Sequence, residues 1–241
     1  MSAPGARRTS VLLDSPPCTR TAERSLCITL TPPDGRVCNL DCTYCPFPRA
    51  EHRGSWPSPG TLEALLRNEV RNRPEVDSIT VSGPGEPTLH PRFGQALAAV
   101  LSARQVRPRL PVRIVTNSVR VLDPRVRRLI AFADERVVRL DAAGERIEGK
   151  EPPLEVLRAA LSELASFSLE SVFVEGRDGN AGDDEVEAWV GRVVALAPLR
   201  VYVTTAVEPG YAGLRRASPE RLEGIAGALR ARCPAEVRVV P

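Results

Sequence analysis

The chain has 241 residues, a length that fits one large α/β domain or two small domains. Its composition, with 42% hydrophobic and 26% charged residues, is typical of a soluble globular protein and excludes a disordered, fibrous or membrane-embedded chain. Thirty-three basic and 30 acidic residues give a formal net charge of +3, which is too small to indicate a nucleic-acid surface by itself.

The apolar segments and the cysteines indicate the cellular compartment. No stretch approaches the roughly 18 apolar residues of a membrane span, and Met1–Arg8 is not followed by a signal-peptide core. Six cysteines are too few for a secreted disulfide scaffold of this length, and a close group of three indicates metal ligation in a reducing environment. The sequence therefore predicts a cytoplasmic protein with no membrane partner.

The beginning of the chain lacks a regular pattern. Pro4, Gly5, Pro16 and Pro17 interrupt it without a sustained hydrophobic period. We therefore predict an N-terminal arm or irregular lead-in over residues 1–24 and one core domain over residues 25–241.

Short β-branched apolar runs recur after this lead-in and predict strands that are buried on both faces. They are Leu26–Leu30, Ser78–Val81, Val112–Val115, Val137–Leu140, Ser171–Val174 and Val201–Val203, with Glu236–Val240 as a candidate last strand. Apolar stripes at helical spacing alternate with them over 62–70, 93–101, 126–130, 154–164, 186–193 and 222–229. This alternation predicts one α/β domain with a parallel sheet and outer helices, but periodicity leaves open a doubly wound sheet, a full barrel or a partial barrel.

Polar residues follow nearly every predicted strand. Ligands bind at the carboxyl ends of parallel strands in all of these architectures, so we expect these residues to share one rim. In chain order they are the cysteine loop, Ser82–Glu86, Thr116–Ser118, Asp141, Glu175–Gly176 and Thr204–Thr205.

The strongest chemical signal is a C-x3-C-x2-C triplet formed by Cys38, Cys42 and Cys45. A closed [4Fe–4S] site uses four cysteines, so three would leave one iron open to a non-protein ligand. Structural zinc with His52 as the fourth ligand is the alternative. Zinc sites, however, usually combine two close ligand pairs, and the sequence has no second pair.

The triplet, with Tyr44 before its last cysteine, resembles the signature of the radical S-adenosylmethionine (SAM) superfamily. The segment Gly83–Pro91 is similar to the second-strand motif of that superfamily. The resemblance implies a [4Fe–4S] cluster on the three cysteines, and SAM with its amino group held by Gly83, Gly85 and Glu86. A turn is the other interpretation of Gly-Pro-Gly-Glu-Pro, because these residue types favour turns.

Further segments resemble small radical SAM proteins related to the wyosine-base tRNA enzymes. They are Arg24–Leu26, Pro32–Cys38, Thr116–Ser118, Arg139–Ala142, Phe173–Gly176 and Ser218–Leu222. This likeness implies a partial, opened (β/α)6 barrel with the cluster loop at its mouth. The segments Thr19–Arg24, Pro46–Pro48 and Arg146–Pro152 depart from the subgroup pattern, so the wyosine-type activity does not transfer with it.

The same resemblance makes Asn117 and Asp141 candidates for contact with the SAM ribose or the substrate. Asn and Asp also cap helices and turns, and for Asn117 the two interpretations are equally open. For Asp141 we favour ligand contact. Glu175 would either face the substrate or close a turn with Gly176. We expect Tyr44 to pack against the cluster.

The resemblance implies reductive cleavage of SAM to a 5′-deoxyadenosyl radical that abstracts hydrogen from a substrate. No catalytic residue is assigned. An RNA base is the leading substrate, while a peptide, a small metabolite or an activase target would need the same core. A reductant protein such as a flavodoxin or ferredoxin is the implied partner. A non-catalytic iron–sulfur or zinc protein is the rival, and Cys18, Cys27 and Cys233 are expected to be dispensable for the cluster.

Overall fold

The structure is a computed structural model that describes residues 12–13, 24–32, 36–47, 55–142, 152–209 and 213–241. Its strands are β1 (Leu12–Leu13), β2 (Ser25–Ile28), β3 (Ser78–Val81), β4 (Val112–Thr116), β5 (Glu135–Arg139), β6 (Ser168–Glu175), β7 (Arg200–Thr205), β8 (Arg215–Arg216) and β9 (Glu236–Val240). Its α-helices are α1 (Pro59–Asn72), α2 (Phe93–Leu101), α3 (Pro124–Ile130), α4 (Leu154–Leu161), α5 (Asp183–Leu196) and α6 (Pro219–Arg230).

The strands form one sheet in the order β1-β2-β3-β4-β5-β6-β7-β9. Strands β2 to β7 and β9 are parallel, whereas β1 runs antiparallel to β2, and β8 pairs antiparallel with β6 beside this path. The seven parallel strands make a half-barrel with the helices outside, which confirms the predicted partial barrel and the candidate last strand. The division between an arm and a core at residue 24 stays a prediction.

Local sequence explains where several helices begin. Ser58 and Ser218 each accept a hydrogen bond from the backbone N–H three residues later, and a proline follows each of them at the first helical position. Asp123 caps α3 in the same way, through the N–H of Arg125. The predicted stripe that reached Leu164 is shorter in the structure, because α4 ends at Leu161. Within the described ranges, no helix combines the length and the apolar run needed to cross a bilayer.

The main core lies between the sheet and the outer helices. Trp189 of α5 is fully buried, packs edge-on against Phe173 with ring centroids 5.0 Å apart, and donates from its indole N–H to Ser171 Oγ at 3.0 Å. This pairing satisfies the polar atom of a large buried aromatic side chain.

A polar network closes the amino-terminal end of the half-barrel interior. The Glu135 carboxylate accepts hydrogen bonds from Arg113 at 2.6 Å, Tyr202 at 2.8 Å and Arg200 at 3.2 Å. Above it, Tyr202 packs with Val115 and Val137 in a small apolar layer. The interior is therefore filled at this end, and space for a ligand lies at the carboxyl ends of the strands.

Candidate functional site

A cavity that is open to solvent on one side occupies the carboxyl-terminal end of the half-barrel. Its polar lining comes from the cysteine loop and from the ends of β3 to β7, which is the convergence expected from the sequence. The polar and cysteine side chains are Arg36, Cys38, Cys42, Tyr44, Cys45, Ser82, Glu86, Thr116, Asn117, Arg139, Glu170, Thr204 and Thr205.

The three cysteines of the triplet are half-buried thiols at this cavity and form no disulfide. The backbone N–H of Leu40 and the amide of Asn117 each donate to Cys38 Sγ at 3.5 Å. Burial raises the pKa of the Cys38 thiol, and these two hydrogen bonds act in the opposite direction because they favour the thiolate. Cys38 is thus held on two sides before any metal binds.

The cysteine loop is bonded directly to the loop after β3. The Glu86 N–H donates to the Val37 carbonyl at 2.8 Å, and Thr31 Oγ1 donates to the Pro84 carbonyl at 2.6 Å. Gly85 has a φ of +103°, and a Cβ there would lie 2.3 Å from the Val37 oxygen. The missing side chain at Gly85 therefore makes room for the cysteine loop. Gly83 also has a positive φ, +126°, which favours glycine.

The Glu86 carboxylate is 1% exposed and bonded to two neighbouring segments. Its Oε1 accepts from the Thr88 N–H at 3.1 Å, the Thr88 hydroxyl at 2.5 Å and the Thr116 hydroxyl at 2.8 Å. Its Oε2 accepts from the Asn117 N–H at 2.8 Å. A carboxylate has about four lone-pair sites, two on each oxygen, so Oε2 keeps one for a further donor. The structure therefore contains the turn contacts expected for Glu86, and the contact of Glu86 with SAM stays a prediction.

Asn117 joins the end of β4 to the cysteine loop. Besides its contact with Cys38, its amide donates to Asn39 Oδ1 at 2.7 Å. Its own Oδ1 accepts from the Val119 N–H at 3.3 Å, which is the capping role considered from the sequence. Asn117 also lines the cavity, so a ligand contact remains compatible with its position.

Asp141 is fully buried and lies behind the cavity wall. Its Oδ2 accepts from the Tyr44 hydroxyl at 2.5 Å, and its Oδ1 accepts from the Val172 N–H at 2.6 Å. Both carboxylate oxygens thus accept from the protein's own donors, and the ligand contact favoured from the sequence stays a prediction. Asp141 also positions Tyr44, which packs on Val172.

Residues 33–145 match the family model of the radical SAM superfamily. This match assigns a radical SAM domain to that part of the chain. Members of the superfamily bind a [4Fe–4S] cluster and SAM.

Individual relatives agree with this assignment. The UPF0026 protein slr1464 of Synechocystis is 33% identical over 107 residues, which cover 44% of this chain and 39% of that protein. SuiB of Streptococcus suis, solved bound to SAM, superposes with a TM-score of 0.65 at 15% identity, covering 89% of this chain and 51% of SuiB. A radical SAM methyltransferase from Sphaerobacter thermophilus gives 0.63 at 20% identity, covering 89% and 66%. These structures share the fold, and the chain spans about half of SuiB and less than half of the UPF0026 protein.

The donor set fits the iron–sulfur group of a radical SAM protein. Three thiols from one loop face one cavity, and N–H groups already point at the Cys38 sulfur. In the part of the chain that the structure describes, no three ligating side chains converge on a single ion-sized point. Thiolates that bind different irons of a cluster do not need such convergence, whereas a single zinc ion does. His52, the fourth ligand of the zinc alternative, lies outside the described residues.

The cavity wall also contains a half-buried ion pair for which the sequence suggested no role. Arg139 at the end of β5 donates to Glu170 Oε1 of β6 at 3.0 Å. Burial alone would lower the pKa of Arg139, but the Glu170 carboxylate raises it well above the ordinary value. Glu170 is 3% exposed, and its Oε2 has no hydrogen-bond partner among the described residues. The available signal was strand alternation, which places Arg139 on the same face as the inward Val137.

Of the other polar residues predicted at the strand ends, some line the cavity and some make contacts within the fold. Thr204 and Thr205 line the cavity, as the sequence placed them. Glu175 does not: it accepts from the Ser218 N–H at 3.1 Å and from Arg215 at 3.0 Å, so it joins the end of β6 to the segment before α6.

The cysteines outside the triplet lie away from the cavity lining or outside the described part. Cys27 is buried on β2 and disulfide-bonded, and Cys233 is a buried free thiol. Neither lines the cavity. Cys18 and most of the divergent segment Arg146–Pro152 lie outside the described residues.

Proposed function

We propose that this chain uses Cys38, Cys42 and Cys45 to hold a [4Fe–4S] cluster and cleaves SAM reductively to activate a substrate for hydrogen abstraction. One observation carries the proposal: three thiols and the Glu86 carboxylate line the same cavity, on two loops bonded to each other through Val37. A simple electron relay needs a cluster loop but has no need of an amino-acid site beside it.

The amino-acid end of SAM carries an ammonium and a carboxylate, and the cavity offers a partner for each. The free lone pair of Glu86 Oε2 suits the ammonium, since a charge-assisted hydrogen bond is stronger than a neutral one. The Arg139 guanidinium, held by Glu170, suits the carboxylate. Opposite charges in one cavity would orient the ligand as well as bind it.

The cluster, when bound, would supply the electron that cleaves the sulfonium C–S bond of SAM to give methionine and a 5′-deoxyadenosyl radical. The protein's own contribution is position and exclusion of water. Leu40, Tyr44, Phe47 and Val172 give the cavity an apolar wall. Such a wall limits side reactions of a reactive species with solvent.

The substrate and the electron donor are proposals that rest on the resemblance. An RNA base is the leading substrate class, and a peptide or a small metabolite is the alternative. A flavodoxin or a ferredoxin is the proposed reductant. The modest net charge of +3 supports a docking partner or substrate held by local contacts more than by a strong overall field.

The decisive experiment is anaerobic reconstitution with iron and sulfide, followed by addition of SAM and dithionite and assay for 5′-deoxyadenosine. The parent protein is expected to form 5′-deoxyadenosine. Cys42→Ala is expected to lose both the cluster absorption and the product. Cys233→Ala is the matched control, since this free thiol is remote from the cavity and should leave both unchanged.

Two results would overturn the proposal. Stoichiometric zinc without iron after anaerobic purification would favour the structural-metal rival. A parent protein that carries the cluster but never cleaves SAM, with or without a flavodoxin, would favour the non-catalytic iron–sulfur protein.

A further inference from the structure

Arg36 is a buried cation at the start of the cysteine loop, and neither the fold nor the proposed function accounts for its burial. Its side chain is only 4% exposed, although an arginine is seldom buried without a partner. The residue lines the same cavity as Cys38 and Cys45. Arg36 lies two residues before the first cysteine. It directly precedes Val37, which forms the backbone bridge between the cysteine loop and Gly85.

Asp41 neutralises Arg36 only in part. A terminal guanidinium nitrogen of Arg36 donates to Asp41 Oδ1 at 2.5 Å. The Asp41 side chain, however, is 49% exposed, so water screens much of its charge. The buried side of the guanidinium thus needs another source of negative charge.

The thiols of Cys38 and Cys45 line the same cavity as the Arg36 side chain. Burial lowers the pKa of Arg36, whereas its hydrogen bond to Asp41 and the neighbouring cysteine sulfurs raise it above the ordinary value. Its Nε is buried and has no hydrogen-bond partner in the described part of the chain. A buried N–H without an acceptor is unfavourable, so this atom fits a site where a bound group supplies the acceptor.

We propose that Arg36 is a positioning residue that donates to the sulfur atoms of the iron–sulfur group on Cys38, Cys42 and Cys45 and raises its reduction potential. The inference rests on the proposed function, because it requires that group to bind. Reduction adds one electron and hence one negative charge, which a nearby buried cation stabilises more than it stabilises the oxidised form. Hydrogen bonds to the sulfurs and local charge are known determinants of such potentials.

The test is a redox titration of the reconstituted protein, with the reduced cluster monitored by EPR and the potential set by dithionite and mediators. Arg36→Gln is expected to keep the parent's iron content. It should lower the equilibrium constant for reduction of the cluster about tenfold, which lowers the reduction potential by about 59 mV for one electron. Asp41→Asn is expected to shift the potential in the opposite direction, because it frees the Arg36 charge. Arg128→Gln, an exposed arginine on α3, is the control for net charge and should leave the potential unchanged.

The outcomes separate this role from the proposed function. If the parent protein takes up no iron–sulfur group, the proposed function and the role of Arg36 are both overturned. A parent that takes it up, with the same potential in Arg36→Gln or an equal shift in Arg128→Gln, overturns the role of Arg36 alone. If Arg36→Gln does not retain the group, Arg36→Lys decides: retention supports a role for the charge, and equal loss overturns it.

Discussion

Glu86 shows at the scale of one residue how a structural and a ligand role can share a carboxylate. Three donors occupy Oε1 and one occupies Oε2. The sequence could suggest a turn or a SAM contact, and the structure contains the turn contacts while leaving one acceptor position open. The effects of a substitution at Glu86 on stability and on ligand binding must therefore be measured separately.

We predict that Glu86→Gln lowers the free energy of unfolding by about 1–3 kcal/mol, because an amide N–H₂ would replace an acceptor among buried donors. Urea unfolding of the protein without added ligands measures this. Asp123→Asn is the matched control: Asp123 caps α3 at the surface, and Asn caps helices equally well. The folded fraction of Glu86→Gln should also bind SAM more weakly. Parent-like stability together with parent-like SAM binding would contradict both roles.

His90 is a second buried polar residue whose role is structural. Its Nδ1 accepts from the Arg92 N–H at 3.0 Å, so Nε2 carries the proton and donates to the Pro57 carbonyl at 2.9 Å. Burial lowers the pKa of His90 below its ordinary value of 6.5, and the Arg92 charge acts in the same direction. The neutral His90 ring therefore links the segment before α1, through Pro57, to the end of the loop after β3.

This shift predicts a pH dependence of stability. The unfolded chain takes up a proton on His90 near pH 6.5, while the folded protein does so only at lower pH. The contribution of His90 is therefore complete above that pH and is lost as the pH falls below it. The difference in unfolding free energy between the parent and His90→Gln, measured in urea, should be larger at about pH 7.5 than at about pH 5. A difference that stays constant with pH would refute this.

At the scale of elements, the contact between the cysteine loop and the loop after β3 sets the site geometry. Gly85 permits it, since its φ of +103° and the Val37 oxygen both exclude a side chain. The predicted role of Gly85 was contact with SAM. The structure adds a different reason for glycine, namely the approach of another backbone.

We predict that Gly85→Ala destabilises the fold by at least about 1–3 kcal/mol, the cost of a residue forced into a sparsely populated conformation. It should also reduce iron retention after reconstitution, because Val37 precedes the proposed ligand Cys38. Gly191→Ala provides the control: it lies in α5 with nothing within 4 Å of the added Cβ, and alanine should stabilise a helix there by about 0.5–1 kcal/mol. Equal stability and iron content in Gly85→Ala and the parent would show that the two loops do not depend on this contact.

Strand boundaries show where local patterns stop being informative. The sequence predicted Ser171–Val174, but β6 begins at Ser168 and includes Glu170. The first residues of this strand include the polar Ser168 and Glu170. In the half-barrel they face partners inside it: Ser168 donates to Glu135 at 2.9 Å, and Glu170 accepts from Arg139.

For the whole molecule, the charge balance bears on the substrate. A net charge of +3 provides little long-range attraction for RNA, so binding should be modest and should arise from counterion release. We predict that the affinity for tRNA falls steeply between low and physiological salt, as measured by filter binding or fluorescence anisotropy. An affinity that does not change with salt would contradict this prediction. Absence of binding even at low salt would favour a peptide or a metabolite as substrate.

The sequence by itself determined the order of strands and helices, several helix starts and the cysteine triplet. Each of these depends on residues close together in the chain, through hydrophobic period, a capping side chain or ligand spacing. Only the tertiary structure decided which polar residues face the cavity. Arg139 and Asp141 are two residues apart, yet Arg139 lines the cavity while Asp141 binds Tyr44, 97 positions away. Strand pairing and barrel curvature set that difference, and neither is encoded in a local pattern.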